Sequence, residues 1–239
     1  MSAKEKIILA LDVSDSKYAI EIVDKFKDYV GIFKVGLELF TAGGPGVVAE
    51  IISRDKMVFL DLKFHDISNT VIKAALNAAR LGVYMLNLHA SGGLEMMRRC
   101  KESVVDLCLK ENIRRPKLLG VTVLTGLSQD VLKNELGMQH SLRTHVKQLS
   151  KLSMDAGLDG VVASGHEVAM LRNHFGKDFL IVTPGIRTSW SPPDDQKRTM
   201  TPRQAIREGA DYIVLGRAVM NQPDPFRALE LITAEILTA

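Results

Sequence analysis

Hydrophobic positions recur along the chain in two alternating patterns. The first pattern is a short run that is apolar almost throughout and rich in β-branched residues, which is typical of a strand buried on both faces. Such runs cover residues 7–13, 32–38, 58–64, 84–90, 117–124, 160–164, 180–186 and 212–218. The pattern therefore predicts eight buried strands.

Longer stretches with helical periodicity separate these runs. One apolar stripe passes through residues 19–30 and another through residues 67–81, each with the spacing of an amphipathic helix. Thr201 and Asp224 each precede a proline, and a capping side chain followed by proline predicts the start of a helix. Strands and helices therefore alternate along the chain.

This alternation indicates an α/β fold. Buried strands separated by helices form a parallel sheet covered by helices, and eight such units in 239 residues favour a (β/α)8 TIM barrel. No break in composition marks a linker, so we expect one catalytic domain over residues 1–239. An open doubly wound sheet is the alternative, but the glycine-rich turn of its nucleotide site is missing from residues 10–15.

Composition excludes several classes of protein. Thirty-one basic and 28 acidic residues give a net charge of only +3, so we expect no nucleic-acid partner. The longest stretch without charged residues, 81–94, is shorter than the roughly 18 residues of a membrane helix. The first residues do not resemble a signal peptide, and we expect a cytoplasmic protein. Cys100 and Cys108 would lie about 12 Å apart along a helix, too far for a disulfide.

Charged side chains recur where the predicted strands end, the edge at which (β/α)8 barrels place their chemistry. The densest group is residues 61–66, DLKFHD, in which Asp61 and Lys63 share one face of a strand. Lys34 on the neighbouring strand and Asp66 extend this pair into an alternating array of carboxylates and ammonium groups. Opposite charges about 4 Å apart attract by about 4 kcal/mol at an effective dielectric constant of 20, which favours the ionised forms. The array suits a charged ligand, and a purely structural ion-pair network is the alternative.

A second polar group follows the seventh and eighth predicted strands, where this fold commonly binds phosphate. TPGIR ends at Arg187, and LGRA contains Gly216 and Arg217. Glycine allows backbone amides to approach an anion, and arginine supplies forked donors to its oxygens. The loop over residues 188–198 carries Gln196 and is expected to close over the ligand as a lid. The alternative interpretation is two ordinary strand-end turns with solvated arginines.

Together these segments resemble the orotidine 5′-phosphate decarboxylase family, in particular its bacterial branch. The resemblance rests on LALDVSD (9–15), FKVGLELF (33–40), FLDLKFHDISNTV (59–71) and VTVLTGL (121–127), followed by TPGIR, DDQKR and YIVLGRAV. It implies decarboxylation of orotidine 5′-phosphate to UMP in pyrimidine biosynthesis. It also implies a homodimer of TIM barrels that uses no cofactor and no metal.

The resemblance assigns roles to particular residues. Lys63 is expected to be the proton donor, with Lys34, Asp61 and Asp66 completing a charged tetrad. Asp66 and Thr70 are expected to reach into the partner subunit's site. Besides Lys34, Asp61 and Thr70, the implied substrate-binding residues are Asp12, Thr125, Pro184, Arg187, Gln196, Gly216 and Arg217.

Two positions depart from the family pattern. Ser68 stands where the family usually has proline, and the change loosens a loop that proline would stiffen. Gly126 stands where the family usually has serine. The resemblance implies that the serine hydroxyl contacts the pyrimidine amide, and this hydroxyl is missing here. Because neither position belongs to the tetrad, we expect the departures to alter affinity more than activity.

Three other functions stay open at this point. A metal-dependent sugar-phosphate decarboxylase or hexulose-phosphate synthase shares the pattern of Asp61, Lys63 and Asp66 but uses Mg²⁺. A Schiff-base aldolase would use Lys63 or Lys34 as a neutral amine. A non-catalytic nucleotide-phosphate binder would keep the barrel but would not need the carboxylates beside the lysines.

Overall fold

Eight parallel strands close into a barrel in chain order in the computed structural model, which describes residues 2–188, 190 and 200–239. The strands are β1 (Ile7–Ala10), β2 (Ile32–Gly36), β3 (Met57–Phe64), β4 (Met85–His89), β5 (Lys117–Val121), β6 (Gly160–Val162), β7 (Leu180–Thr183) and β8 (Tyr212–Leu215). Strand β1 pairs with β8, Ile8 lying opposite Val214, so the sheet has no free edge. The predicted (β/α)8 barrel is confirmed, and the doubly wound alternative is wrong.

Helices connect the strands and cover the outside of the barrel. Within the described residues they are α1 (Ser16–Phe26), α2 (Leu37–Ile52), α3 (Ser68–Arg80), α4 (Gly93–Glu111), α5 (Gln129–Asn134), α6 (Leu142–Asp155), α7 (Val168–Phe175), α8 (Pro202–Glu208), α9 (Arg217–Met220) and α10 (Pro225–Leu237). Short 3₁₀ helices cover Lys4–Lys6, Ala90–Gly92 and Gly165–Glu167. Among the described residues, no helix has both the length and the apolar composition needed to cross a bilayer.

Most predicted strands extend too far at their carboxyl ends. The first was expected to reach residue 13, but β1 ends at Ala10 although Leu11 is still buried. Strands β5 and β7 likewise end three residues before their predicted limits. Beyond these ends the chain forms the mouth of the barrel, where buried Leu11 still donates its amide to the Lys34 carbonyl at 3.0 Å but Asp12 is exposed.

Local capping explains where two of the helices begin. Thr201 caps α8, because its hydroxyl accepts a hydrogen bond from the amide of Gln204. The side-chain oxygen of Gln204 accepts one from the amide of Thr201, and the two bonds form a capping box. Asp224 caps α10 in the same manner through the amide of Arg227. Both predicted helix starts are confirmed. The predicted stripe over 67–81 is wrong at Ile67, which is 74% exposed because α3 begins only at the next residue.

Apolar side chains fill the barrel interior below its mouth. The interior layer consists of Ile8, Ile32, Phe59, Met85, Leu119, Val182 and Tyr212. Because strand side chains alternate between faces, Lys34 follows Ile32 on the inner face of β2 and Asp61 follows Phe59 on the inner face of β3. The charged residues of these strands therefore stand directly above an apolar floor.

The amino end of the barrel carries a separate ion cluster. Asp159, which directly precedes β6, accepts two hydrogen bonds of 2.8 Å from Arg115. It also accepts bonds of 2.9 Å from the Lys101 ammonium and the Leu118 amide. Burial alone would raise the pKa of Asp159, but these donors outweigh it and lower the pKa to about 2. This end of the fold serves stability.

We predict that the contribution of Asp159 to stability depends on pH. A lowered folded pKa stabilises the native state above the ordinary pKa of 3.8, and this stabilisation is lost as the pH falls through about 2. The wild-type protein should be more stable than Asp159→Asn by about 2 kcal/mol at neutral pH, and the difference should shrink across that window. Urea unfolding at a series of pH values measures it.

The control is Asp155→Asn, since Asp155 pairs with Lys151 on the exposed surface of α6. That variant should cost little at any pH. A difference between wild type and Asp159→Asn that stays constant down to pH 2 would contradict the assignment.

Candidate active site

A cavity of about 530 Å³ opens at the carboxyl ends of the strands. Nine of the twelve predicted site residues line it, namely Asp12, Lys34, Asp61, Lys63, Thr125, Pro184, Arg187, Gly216 and Arg217. Asp66 and Thr70 do not line it, and Gln196 lies outside the described residues. A volume of this size accommodates a small-molecule ligand such as a nucleotide.

Four charged side chains form an alternating row along one wall of the cavity. The Lys34 ammonium lies 2.9 Å from Asp12 Oδ1 and 3.7 Å from Asp61 Oδ2. The Lys63 ammonium lies 2.8 Å from Asp61 Oδ1. The row therefore runs Asp12, Lys34, Asp61, Lys63, with Asp12 just beyond the end of β1 and the others on the adjacent strands β2 and β3. We call this row the charged array.

The second carboxylate of the array within one chain is Asp12, whereas the sequence pattern placed Asp66 there. Asp66 lies beyond the end of β3 and is exposed, and its Oδ1 accepts a hydrogen bond of 2.6 Å from the Ile67 amide. Thr70 is also exposed, in the first turn of α3. An array containing Asp66 is thus not formed within a single chain, because β3 ends before Asp66 can turn inward.

Lys63 adopts an unusual backbone conformation. Its φ is 51°, in the left-handed region that lysine rarely occupies. The pairing of β3 with β4 steps from Leu60 to Phe64 on one strand but only from Leu86 to Leu88 on the other, so β3 bulges at the site. Simple strand alternation predicted that Asp61 and Lys63 share a face, but the ion pair between them depends on this bulge.

Asn87, which was not among the predicted site residues, contacts the array from β4. Asn87 is fully buried. Its Oδ1 accepts a hydrogen bond of 2.8 Å from the Lys63 amide, and its Nδ2 donates one of 2.7 Å to Asp61 Oδ1. A signal was present in the sequence, because Asn87 is an amide between two leucines in a predicted buried strand, and a buried amide needs partners.

Asp61 remains ionised in this environment. Its side chain is only 14% exposed, and burial alone would raise the pKa of its carboxyl. The charges of Lys34 and Lys63, with hydrogen bonds from Lys63 and Asn87, outweigh burial and lower that pKa below the ordinary value. The array thus holds a buried negative charge that a ligand must meet.

Two imidazoles lie beside the array. The rings of His65 and His89 are 5.3 Å apart. Burial lowers the pKa of His89, and the charges of His65 and Lys63 lower it further against the opposing effect of Asp61. His89 is therefore neutral at physiological pH. No group of three or more His, Cys, Asp or Glu side chains in the described ranges is placed to hold a metal ion.

The loops after β7 and β8 form the other side of the cavity. In a closed barrel of eight strands, β7 stands across from β3, so its loop faces Asp61 and Lys63, whereas the loop after β8 lies next to Asp12. The Arg187 amide donates to the Met200 carbonyl at 3.0 Å, which fixes the backbone after β7. A Cβ at Gly216 would lie only 3.4 Å from Asp12 Oδ2, so a larger residue would narrow the cavity there. Arg187 and Arg217 give this side the donors that a phosphate dianion requires.

The two departures from the family pattern have a simple structural setting. Ser68 is the first residue of α3, the helix position that best accepts proline, so serine leaves the helix intact. Gly126 lines the cavity, and no described atom lies within 4 Å of the position that a Cβ would take there. Ser164, which sequence analysis did not single out, places a fully buried hydroxyl in the cavity wall, and that hydroxyl has no hydrogen-bond partner among the described residues.

Comparison with known proteins agrees with this picture. The family model for the orotidine 5′-phosphate decarboxylase / HUMPS family matches residues 5–232. The orotidine 5′-phosphate decarboxylase of Moorella thermoacetica is 47% identical over 236 residues, which cover 99% of this chain and 94% of the relative. That of Trichlorobacter lovleyi is 50% identical over 235 residues, 98% of this chain and 96% of the relative. The crystal structure of orotidine 5′-phosphate decarboxylase from Lactobacillus acidophilus is similar with a TM-score of 0.85 and 36% identity, covering 97% of this chain and 99% of that one.

We predict that Lys34→Met raises the pKa of Asp61, because Lys34 supplies the largest of the effects that lower it. Carbon NMR of the aspartate carboxyls during an acid titration measures the change. Lys25→Met, which removes an exposed lysine from α1, should leave the titration of Asp61 where it is. An unchanged Asp61 titration in Lys34→Met would show that the two side chains do not interact as described.

Proposed function

The chain belongs to the orotidine 5′-phosphate decarboxylase / HUMPS family, and from this premise we propose that Lys63 protonates C6 of the pyrimidine as the substrate loses CO₂. The reaction is the conversion of orotidine 5′-phosphate to UMP in pyrimidine biosynthesis, a carboxy-lyase step. The observation that supports this role best is the contact of 2.8 Å between the Lys63 ammonium and an Asp61 carboxylate that stays ionised.

The proposed step needs only the substrate and the array. The bond between C6 and the carboxylate carbon breaks, the electron pair stays on C6, and CO₂ leaves. The Lys63 ammonium transfers a proton to C6, and solvent later restores it. Asp61 lies beside the substrate carboxylate, and the repulsion between the two negative charges disappears as CO₂ forms.

Lys63 contributes more to the rate than repulsion does in this scheme. Only an interaction that strengthens toward the transition state accelerates the reaction, and the attraction between an ammonium and a developing carbanion is of that kind. Asp61 holds the ammonium in place before the charge develops, so little reorganisation is needed during the reaction.

The loops after β7 and β8 are proposed to bind the phosphate. Arg187, Arg217 and the backbone at Gly216 would hold the dianion, with Gln196 completing the grip from the segment outside the described residues. Asp12 and Thr125 would contact the ribose and pyrimidine, and Pro184 lies in the same wall. Energy from binding the remote phosphate can then position the reacting ring. Because both walls belong to one closed barrel, we propose that residues 1–239 act as a single catalytic domain.

The other candidate functions fit the site less well. The hexulose-phosphate synthases share the family, but the two relatives nearly half identical to this chain carry the decarboxylase name. A Schiff-base aldolase needs a lysine whose amine is free to attack a carbonyl, whereas Lys63 is held by Asp61 in an ion pair of 2.8 Å. A simple binder gains nothing from an anionic Asp61 in the wall that receives an anionic ligand.

We also propose a homodimer in which each subunit completes the site of the other. Asp66 and Thr70 are exposed and lie outside the cavity of their own chain, so they are available to a neighbour. Ile67, between them, is 74% exposed, and a large apolar side chain on the surface suits an interface. A carboxylate from a second subunit would extend the array beyond Lys63.

The test of the proton donor is Lys63→Ala. Turnover should fall by about 10³-fold or more, since the variant lacks both the proton and the cation beside C6. Binding of UMP should remain measurable, because the phosphate side is intact. The assay follows the loss of orotate absorbance. It is run on protein that has been exhaustively chelated, so that activity which persists excludes a magnesium-dependent reaction. Lys25→Ala is the control, and a Lys63→Ala variant with a rate near that of wild type would refute the role.

Mixing inactive variants tests the shared site. In a hybrid of Lys63→Ala and Asp66→Ala subunits, one of the two sites regains both residues. Random exchange of subunits should therefore restore about a quarter of the wild-type activity. Mixing Lys63→Ala with Asp61→Ala should restore nothing, because both residues belong to the same chain's array. A persistent monomer with full activity in sedimentation experiments would contradict the dimer.

A further inference from the structure

The left-handed conformation of Lys63 needs a cause. Among the described residues, the other non-glycine residues with positive φ are Asp55 and Asn112, and both lie in turns at the ends of helices. Aspartate and asparagine tolerate this region through local hydrogen bonds, whereas lysine has no such bond to offer. Lys63 is also inside a strand, where the conformation breaks the ladder. Strain of this kind persists only where the surroundings fix it.

Asn87 is the residue that fixes it. Its side-chain carbonyl accepts the Lys63 amide proton, which the bulge would otherwise leave without a ladder partner. Its amide nitrogen donates to Asp61 Oδ1, the same oxygen that binds the Lys63 ammonium. One planar group therefore holds both the backbone of the lysine and the anion that orients its side chain.

The chemistry of these two contacts requires asparagine. The Lys63 amide can only donate, and the ionised Asp61 can only accept, so the bridging group must offer one acceptor and one donor. Aspartate at position 87 could accept from the amide but would repel Asp61. Leucine or alanine could make neither contact and would leave two buried polar groups without a partner.

We propose that Asn87 is a positioning residue for proton transfer, which keeps the Lys63 backbone and the Asp61 carboxylate in one fixed relation so that the ammonium faces the reacting carbon. The inference rests on the proposed role of Lys63. It adds a residue from β4 that does not line the cavity. Without it, β3 could relax toward regular pairing and carry the ammonium away from the substrate.

The experiment compares Asn87→Ala with wild type in kcat, in UMP affinity and in pH profile. We expect kcat to fall by about 10- to 100-fold, the usual cost of a reacting group misplaced by about 1 Å. The Kd for UMP should stay within about threefold, since the phosphate side is untouched. The acid limb of the kcat/KM profile should move to higher pH, because Asn87 is one of the groups that lower the pKa of Asp61.

Thr122→Val is the matched control. Thr122 is a buried polar residue directly after β5, its hydroxyl donates to the Val162 carbonyl at 2.9 Å, and it does not line the cavity. Both variants should lower the melting temperature, but only Asn87→Ala should lower kcat and move the acid limb. If Asn87→Ala does not fold, Asn87→Asp, which has nearly the same shape, is judged by the same criteria.

Two results would overturn the inference. One is a kcat and a pH profile within experimental error of wild type in the position-87 variant. The other is an equal loss of kcat and UMP affinity, which would mean that Asn87 supports the whole site and not the lysine in particular. Either result is distinct from failure of the proposed function, which would appear as full activity of Lys63→Ala whatever happens at position 87.

Discussion

The site depends on a single carboxylate held between two ammonium groups. Asp61 is buried, and burial opposes its charge, but Lys34 and Lys63 on either side reverse that effect. An isolated charge at this depth would be too costly to keep, and removing either lysine would change the charge of the whole wall. In the proposed reaction this fixed negative charge lies where the substrate carboxylate would bring another one.

The barrel brings the charged residues together through the order of its strands alone. The members of the charged array come from three consecutive strands, and in a parallel barrel consecutive strands are neighbours. The apolar layer below excludes water from the floor, which strengthens the interactions above it. The groups suited to phosphate follow the last two strands, and because β8 pairs with β1 they reach the charged array at Asp12.

The fold and most of the site residues could be predicted from the sequence, and the features that could not be predicted have physical explanations. Eight apolar runs fix the strand count, and adjacency of strands brings Lys34 next to Asp61. Spacing alone could not exclude Asp66 from the array of its own chain, because it does not say where a strand stops, and the place of Asp66 in the partner subunit's site stays a prediction. Asn87 escaped because its importance arises from a bulge, and a bulge is a failure of the alternation on which strand prediction rests. The role of Gln196 stays a prediction, since it lies outside the described residues.

The bulge in β3 also places the proposed proton donor on a different part of the barrel from the loop that follows β7. The proposed donor lies within β3, which pairs with β2 on one side and with β4 on the other, and not on a loop. Changes in the backbone after β7 can therefore leave the contact of 2.8 Å between Lys63 and Asp61 undisturbed. Substitutions in the loops after β7 and β8 would then change the dissociation rate of a nucleotide and leave the rate of the proposed chemical step unchanged.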